Sequence, residues 1–153
     1  IQRKVFHKYE QLLNENSTEV NWLRNKRVAQ IVKEALHYRD TKEYDLYAYC
    51  IMPNHVHMVV QHLIKVSAES YPITRILQSL KRYTARECNK LLQRKGSFWQ
   101  SESFDRVIRN NDELEKTISY VLNNPGKAEL VGHWEEWPHN YCKPESVETF
   151  KSI

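Results

Sequence analysis

Hydrophobic positions along the chain follow two periods. Val20, Leu23, Val28, Ile31, Val32, Ala35 and Leu36 recur every three or four residues behind the N-cap candidates Asn16, Ser17 and Thr18, which predicts an amphipathic helix. From Tyr44 to Met52 apolar and aromatic residues alternate, Pro53-Asn54 interrupts them, and His55 to His62 alternates again, the pattern of two adjacent strands in a hairpin. Beyond Pro72, Ile73, Ile76, Leu77, Leu80, Thr84, Cys88, Leu91 and Leu92 line one face of a second helix, with Gly96 as its stop. Phe98 to Ile108 reads as an aromatic-rich strand ending at Asn110-Asn111. Asn111 then caps a third helix that turns Leu114, Ile118, Val121 and Leu122 inward and must end at Pro125. The remainder is Trp-rich, with an irregular tail from about residue 138.

The order helix, strand, strand, helix, strand, helix indicates an α+β fold. Its antiparallel sheet is expected to carry helices mainly on one face, leaving the other for chemistry. Ile1 is not an initiator Met, so the numbering can begin inside the natural chain and an opening strand can be missing. With three glycines, no Ser/Gly-rich stretch and no repeat, residues 1–153 read as a single domain. Hydrophobic residues at 41% and charged residues at 27% suit a globular chain and exclude the disordered class.

No apolar run approaches the roughly 18 residues of a membrane span, and Ile1-Gln2-Arg3-Lys4 lacks a secretory pattern. Cys50, Cys88 and Cys142 are odd in number and far apart, which excludes a disulfide framework or a CxxC metal site. The expectation is a soluble cytoplasmic protein with reduced cysteines and no membrane partner. The 23 Lys and Arg against 19 Asp and Glu give a net charge of +4, which permits an anionic partner without demanding one.

The candidate chemistry lies in the second predicted strand. Residues i and i+2 of a strand share a side, roughly 6.6 Å apart, so His55 and His57 can converge on one ion while Val56 and Met58 face the core. Imidazoles suit several divalent metals and leave most coordination positions free for phosphate oxygens. With seven histidines, a His-x-His pair arises by chance about 0.3 times in such a chain. The pair therefore gains meaning only from its surroundings. On the third helix Tyr120 and Asn124 are four positions apart and share a face. A tyrosine hydroxyl can attack a phosphodiester when a cation lowers its pKa from about 10, and the Asn124 amide oxygen is a possible third ligand. Since Asn124 precedes Pro125, whose ring disfavours helical geometry there, Asn123 is the fallback.

Met52-Pro53-Asn54-His55-Val56-His57-Met58-Val59-Val60 resembles the HUH motif of single-tyrosine transposases. Gly96, Trp99-Gln100, Phe104-Asp105-Arg106, Tyr120-Val121-Leu122-Asn123-Asn124-Pro125, Lys127-Ala128 and Leu130-Val131 follow in the order seen in the REP-associated tyrosine transposases, a branch of that family. The resemblance runs from about Tyr44 to Trp137. The family's opening strand is not visible in it, and residues after Tyr141 match nothing.

The resemblance implies a ferredoxin-like or RRM-like antiparallel sheet, with the histidines on a central strand and the tyrosine on a helix beside it. It implies single-stranded DNA hairpins from repetitive extragenic palindromes as substrates, cleaved through a 5′-phosphotyrosine link. Residue by residue, His55 and His57 become metal ligands, Asn124 the third ligand and Tyr120 the nucleophile, with Mg²⁺ or Mn²⁺ as the ion.

For the DNA itself, Lys81, Arg82 and Arg86 stand on the basic face of the second helix with Arg75, Lys90, Arg94 and Lys95, and Arg106 and Arg109 precede the tyrosine helix. The protein is expected to act as a monomer or homodimer. Two other readings exist. One is a catalytically silent binder of single-stranded DNA or RNA hairpins, and the other a His-x-His metallohydrolase, to which three glycines are ill suited.

Overall fold

The computed structural model describes residues 5–14, 20–63 and 72–151. Among the described residues five strands form one antiparallel sheet in the order β4-β1-β3-β2-β5. They are β1 (Val5–Leu12), β2 (Tyr44–Met52), β3 (His55–His62), β4 (Phe104–Ile108) and β5 (Asn140–Cys142). The longer helices are α1 (Lys26–Tyr38), α2 (Ile73–Leu92) and α3 (Asn111–Leu122). The α+β architecture is the one expected.

The opening strand is present, as an inner strand between β4 and β3. Strand β1 pairs with β3 over its whole length and with β4 along its other edge. Its alternation is real but chemically mixed. Tyr9 and Gln11 are buried toward α1 and α2, where the Tyr9 hydroxyl donates to Gln11 Oε1 at 2.8 Å and Gln11 Nε2 donates to the carbonyl oxygens of Gln100 and Glu102. A buried glutamine so fully bonded costs little, and the network fixes the chain entering β4.

The strand expected from Phe98 is accordingly shorter. Trp99 forms one bridge to Leu13, residues 100–103 bend around the Gln11 amide, and regular pairing begins at Phe104. Phe98 and Trp99 are buried, and Trp99 Nε1 donates to Thr84 Oγ1 at 2.9 Å, so both pack in the core.

The β2–β3 hairpin keeps the expected bounds, with Met52 opposite His55 across Pro53-Asn54. Helix α1 starts later than its apolar pattern: Trp22–Arg24 forms a separate 3₁₀ turn, and Asn25 caps the helix by accepting from the backbone nitrogens of Arg27 and Val28. Asn16, Ser17 and Thr18 lie outside the described residues. Helix α2 closes at Gln93, which takes a left-handed φ of 53°, and Gly96 follows in the loop at φ 95°. The cap of α3 is Asn110 rather than Asn111; its side chain accepts from Glu113 N at 2.8 Å.

Two cores result. One joins Tyr9, Leu13, Val56, Met58 and Val60 to α1 and α2; the other joins Ala48, Cys50, Met52, Val59 and Ile108 to Leu114, Ile118, Val121 and Leu122 of α3. Each buried Leu, Ile or Val contributes roughly 1.5–3 kcal/mol, so α3 is firmly held on the face opposite the two longer helices. The C-terminal stretch is more regular than its sequence suggests. Strand β5 pairs with β2, and Asn140 Nδ2 donates to Leu122 O at 2.9 Å and to Trp134 O at 3.0 Å. That bond satisfies a carbonyl at the end of α3, where a helix leaves carbonyls unpaired, and fixes the residues that follow.

Candidate active site

Strand pleating sends Lys8, Glu10, His55, His57 and Val59 to the face under α3, because their neighbours Tyr9, Val56 and Met58 belong to the opposite core. Glu10 stands directly opposite His57 across the β1–β3 ladder. The two imidazole rings lie 4.6 Å apart, centroid to centroid, at 84°. Ligating atoms of Glu10, His55 and His57 all fall within 4.8 Å of one another, close enough to share a metal ion.

Each histidine has one nitrogen engaged. His55 Nδ1 lies 2.6 Å from Asn54 Oδ1, while His57 Nδ1 is buried without a hydrogen-bond partner, 3.7 Å from Glu10 Oε2. The other nitrogen of His57, Nε2, lies 3.3 Å from the Asn124 amide nitrogen, Nδ2. His57 is 2% exposed, and burial, then the neighbouring His55 and Lys8, pushes its pKa down to about 3. Burial and Lys8 lower that of His55 as well. Both rings are therefore neutral near pH 7, the state in which imidazole binds a metal.

Tyr120 comes from α3. Its ring lies 6.0 Å from that of His57 at 89°, yet the residue is 43% exposed, so it is open to a large substrate. Helix α3 ends at Leu122; Asn123 is its C-cap, and a further turn, α4 (Asn124–Lys127), starts with Pro125 in its first positions. The break resolves the conflict at Asn124. Proline ends α3 as expected, but the chain restarts at once as a new turn, with the Asn124 amide against His57. Asn123 instead donates to Ser119 Oγ at 3.3 Å.

The sequence-derived cationic residues divide between the two faces. Lys81, Arg82 and Arg86 belong to α2, across the sheet from Tyr120, and Lys81 is committed to the carbonyl oxygens of Gln100 and Ser101. With Gln78 and residues 97–101, Lys81 and Arg82 line an open groove of about 310 Å³. Arg106 is on the site face opposite Lys8 and bonds Glu113 and Thr117 of α3; the Arg109 backbone nitrogen donates to Glu113. Sequence reasoning missed Glu10 and Lys8, because β1 carries polar residues on both faces and was not recognised as a strand. Their signal was the alternation Tyr9, Gln11, Leu13 against Lys8, Glu10, Leu12.

The sheet thus carries a histidine pair on an inner strand and a tyrosine on the helix across it. Residues 6–124 match the family of IS200-like transposases, and the chain belongs to it. A Haemophilus influenzae protein that carries the name REP-associated tyrosine transposase is similar, with 25% identity over 111 residues, 67% of this chain and 63% of that protein. The chain thus spans less than two thirds of that relative.

The structure of a REP-associated tyrosine transposase bound to a REP hairpin superimposes with a TM-score of 0.69 at 17% identity, over 92% of this chain and 77% of the other. A Deinococcus radiodurans R1 protein assigned as a transposase gives a TM-score of 0.51 at 14% identity, over 81% of this chain and 92% of its own. These likenesses carry the fold. No helix among the described residues is long and apolar enough to cross a membrane.

Proposed function

We propose that the chain is a metal-dependent single-strand DNA nuclease and strand transferase, with Tyr120 as nucleophile and hairpins of repetitive palindromic elements as substrate. The observation that carries the reading is the meeting of Tyr120, His57 and Asn124, with ring centroids 6.0 Å apart and the amide 3.3 Å from the imidazole. The transposase family and the hairpin bound to the REP-associated structure it resembles support the substrate class.

The residues fit a divalent cation. Two neutral imidazoles and a carboxylate converge, and the Asn124 side-chain amide reaches His57 through its Nδ2 atom, so that a half-turn of the amide would present its oxygen instead. Asn54 engages Nδ1 of His55 and Glu10 faces Nδ1 of His57, so the metal would take Nε2 of each ring, displacing the Asn124 Nδ2 contact at His57. His55, His57 and Asn124 would hold the ion, with Glu10 fixing the tautomer of His57. With two imidazole nitrogens beside oxygen donors, Mn²⁺ should serve at least as well as Mg²⁺. What the bound cation supplies there is Lewis acidity toward a phosphate oxygen.

The residues of the chain perform the rest. Tyr120 Oη forms a bond to phosphorus, the P–O3′ bond breaks, and the departing 3′ oxygen takes a proton from water while the phenol proton passes to solvent. A 3′-hydroxyl attacking the phosphotyrosine reverses these steps and joins strands without another energy source. Incubation with a labelled single-stranded hairpin and Mn²⁺ should give a denaturation-resistant protein–DNA adduct that EDTA prevents. A silent binder would retard the DNA and form no adduct, and an adduct insensitive to EDTA would refute the metal.

A further inference from the structure

Two lysines lie close to the ring of Tyr120. Lys8 Nζ lies 4.5 Å from the ring centroid and Lys127 Nζ 5.0 Å. They arrive from unrelated parts of the fold: Lys8 from β1, locked in register with Val59 and Arg106, and Lys127 from the turn that Pro125 starts. The Lys127 backbone is held by its bond to Asn123 O at 3.0 Å.

Lys127 forms no ion pair among the described residues, and Lys8 has only a loose one, 4.0 Å from Glu10. Arg106, by contrast, is already spent on Glu113. An exposed cation–π contact is weak, so an aromatic ring alone is a poor reason to gather two ammonium groups beside it. A phosphodiester at the Tyr120 hydroxyl would be the anion missing from this arrangement. Its charge grows on the nonbridging oxygens as attack proceeds, which is where fixed cations contribute most to rate.

We infer that Lys8 and Lys127 form a cationic seat for the scissile phosphate, stabilising it during attack by Tyr120 and holding the phosphotyrosine for the joining step. The inference rests on the proposed nuclease activity. It adds two catalytic residues to that reading, one of them, Lys8, from the strand that carries Glu10.

The test is the rate of adduct formation at saturating hairpin DNA in Mn²⁺, for the wild type, Lys8→Met, Lys127→Met and the corresponding arginine variants. Hairpin affinity is measured in parallel in a Tyr120→Phe background. Each methionine variant should lose roughly tenfold or more in the saturated rate with affinity within about threefold, and each arginine should restore most of the loss. Lys127 is exposed on a surface turn, so its variants fold even if those of the half-buried Lys8 do not, and thermal midpoints identify any that fail. Methionine variants as fast as the wild type overturn the seat, and so does a loss that arginine leaves unrepaired, since the side chain would then only position the ring. A wild type that forms no adduct overturns the nuclease reading itself.

Discussion

The Asn124 amide lies 3.3 Å from Nε2 of His57, across 67 positions of sequence. Strand β3 and the turn after α3 are therefore one chemical unit, and its parts can be removed separately.

Tyr120→Phe deletes one hydroxyl from a 43% exposed ring and leaves its contact with His57 in place. The variant should form no covalent adduct and bind hairpin DNA within about threefold of the wild type in a gel-shift or anisotropy titration. Retained cleavage would give the nucleophile's role to another residue.

Glu10 and Asn124 approach His57 at opposite ring nitrogens, 3.7 and 3.3 Å away. If Asn124 is a ligand and Glu10 orients the ring, Glu10→Gln should weaken Mn²⁺ binding by roughly 10- to 100-fold, the usual effect of losing such a partner. Asn124→Ala should weaken it at least as much. Calorimetric titration of both variants checks the order, and a larger loss in Glu10→Gln would exchange the two roles.

The fold's broad plan was legible because the β2–β3 hairpin and α2 obey clean periods, 2 and 3.6, with punctuation by Pro53-Asn54 and Pro72. Residue type and spacing made His55, His57, Tyr120 and Asn124 candidates, the resemblance to the transposase motifs singled them out, and the structure brings all four together. Strand β1 was not: an inner strand that buries Gln11 in a hydrogen-bonded network and puts Lys8 and Glu10 at the site lacks the apolar run expected of a central strand. Its omission hid Glu10. The start of α1 was misread because Val20 and Leu23 mimic helical spacing while packing ahead of the Asn25 cap. No local pattern marks β5, whose place is set by pairing with β2 and by the bond from Asn140 to Leu122.

Burial makes His57 reluctant to take a proton, with a pKa pushed down to about 3, whereas the unfolded chain binds that proton near 6.5. Between those values the unfolded state holds more protons than the folded one, so stability falls as pH falls. Thermal midpoints measured in EDTA should thus be flat above about pH 7 and decline below about 6.5. His57→Gln should flatten part of the decline, since His55, His37 and His139, also shifted downward by burial, contribute to the rest. A midpoint that rises on acidification would contradict this account.

The Asn25 cap offers a test away from the site. Its side chain accepts from Arg27 N at 2.9 Å and Val28 N at 3.4 Å, so Asn25→Ala leaves the first turn of α1 short of an acceptor. Chemical denaturation should report a loss of about 1 kcal/mol, within the 0.5–2 kcal/mol typical of such caps. Adduct formation should not change.

The most direct measurement of the central claim is to trap the adduct between the wild-type chain and a single-stranded hairpin in Mn²⁺, digest it, and locate the nucleotide-bearing residue by mass spectrometry. The account predicts a 5′-phosphodeoxynucleotide on Tyr120 in the wild type and none anywhere in Tyr120→Phe or His57→Ala. A nucleotide on any other tyrosine, or an adduct that survives either substitution, would contradict it.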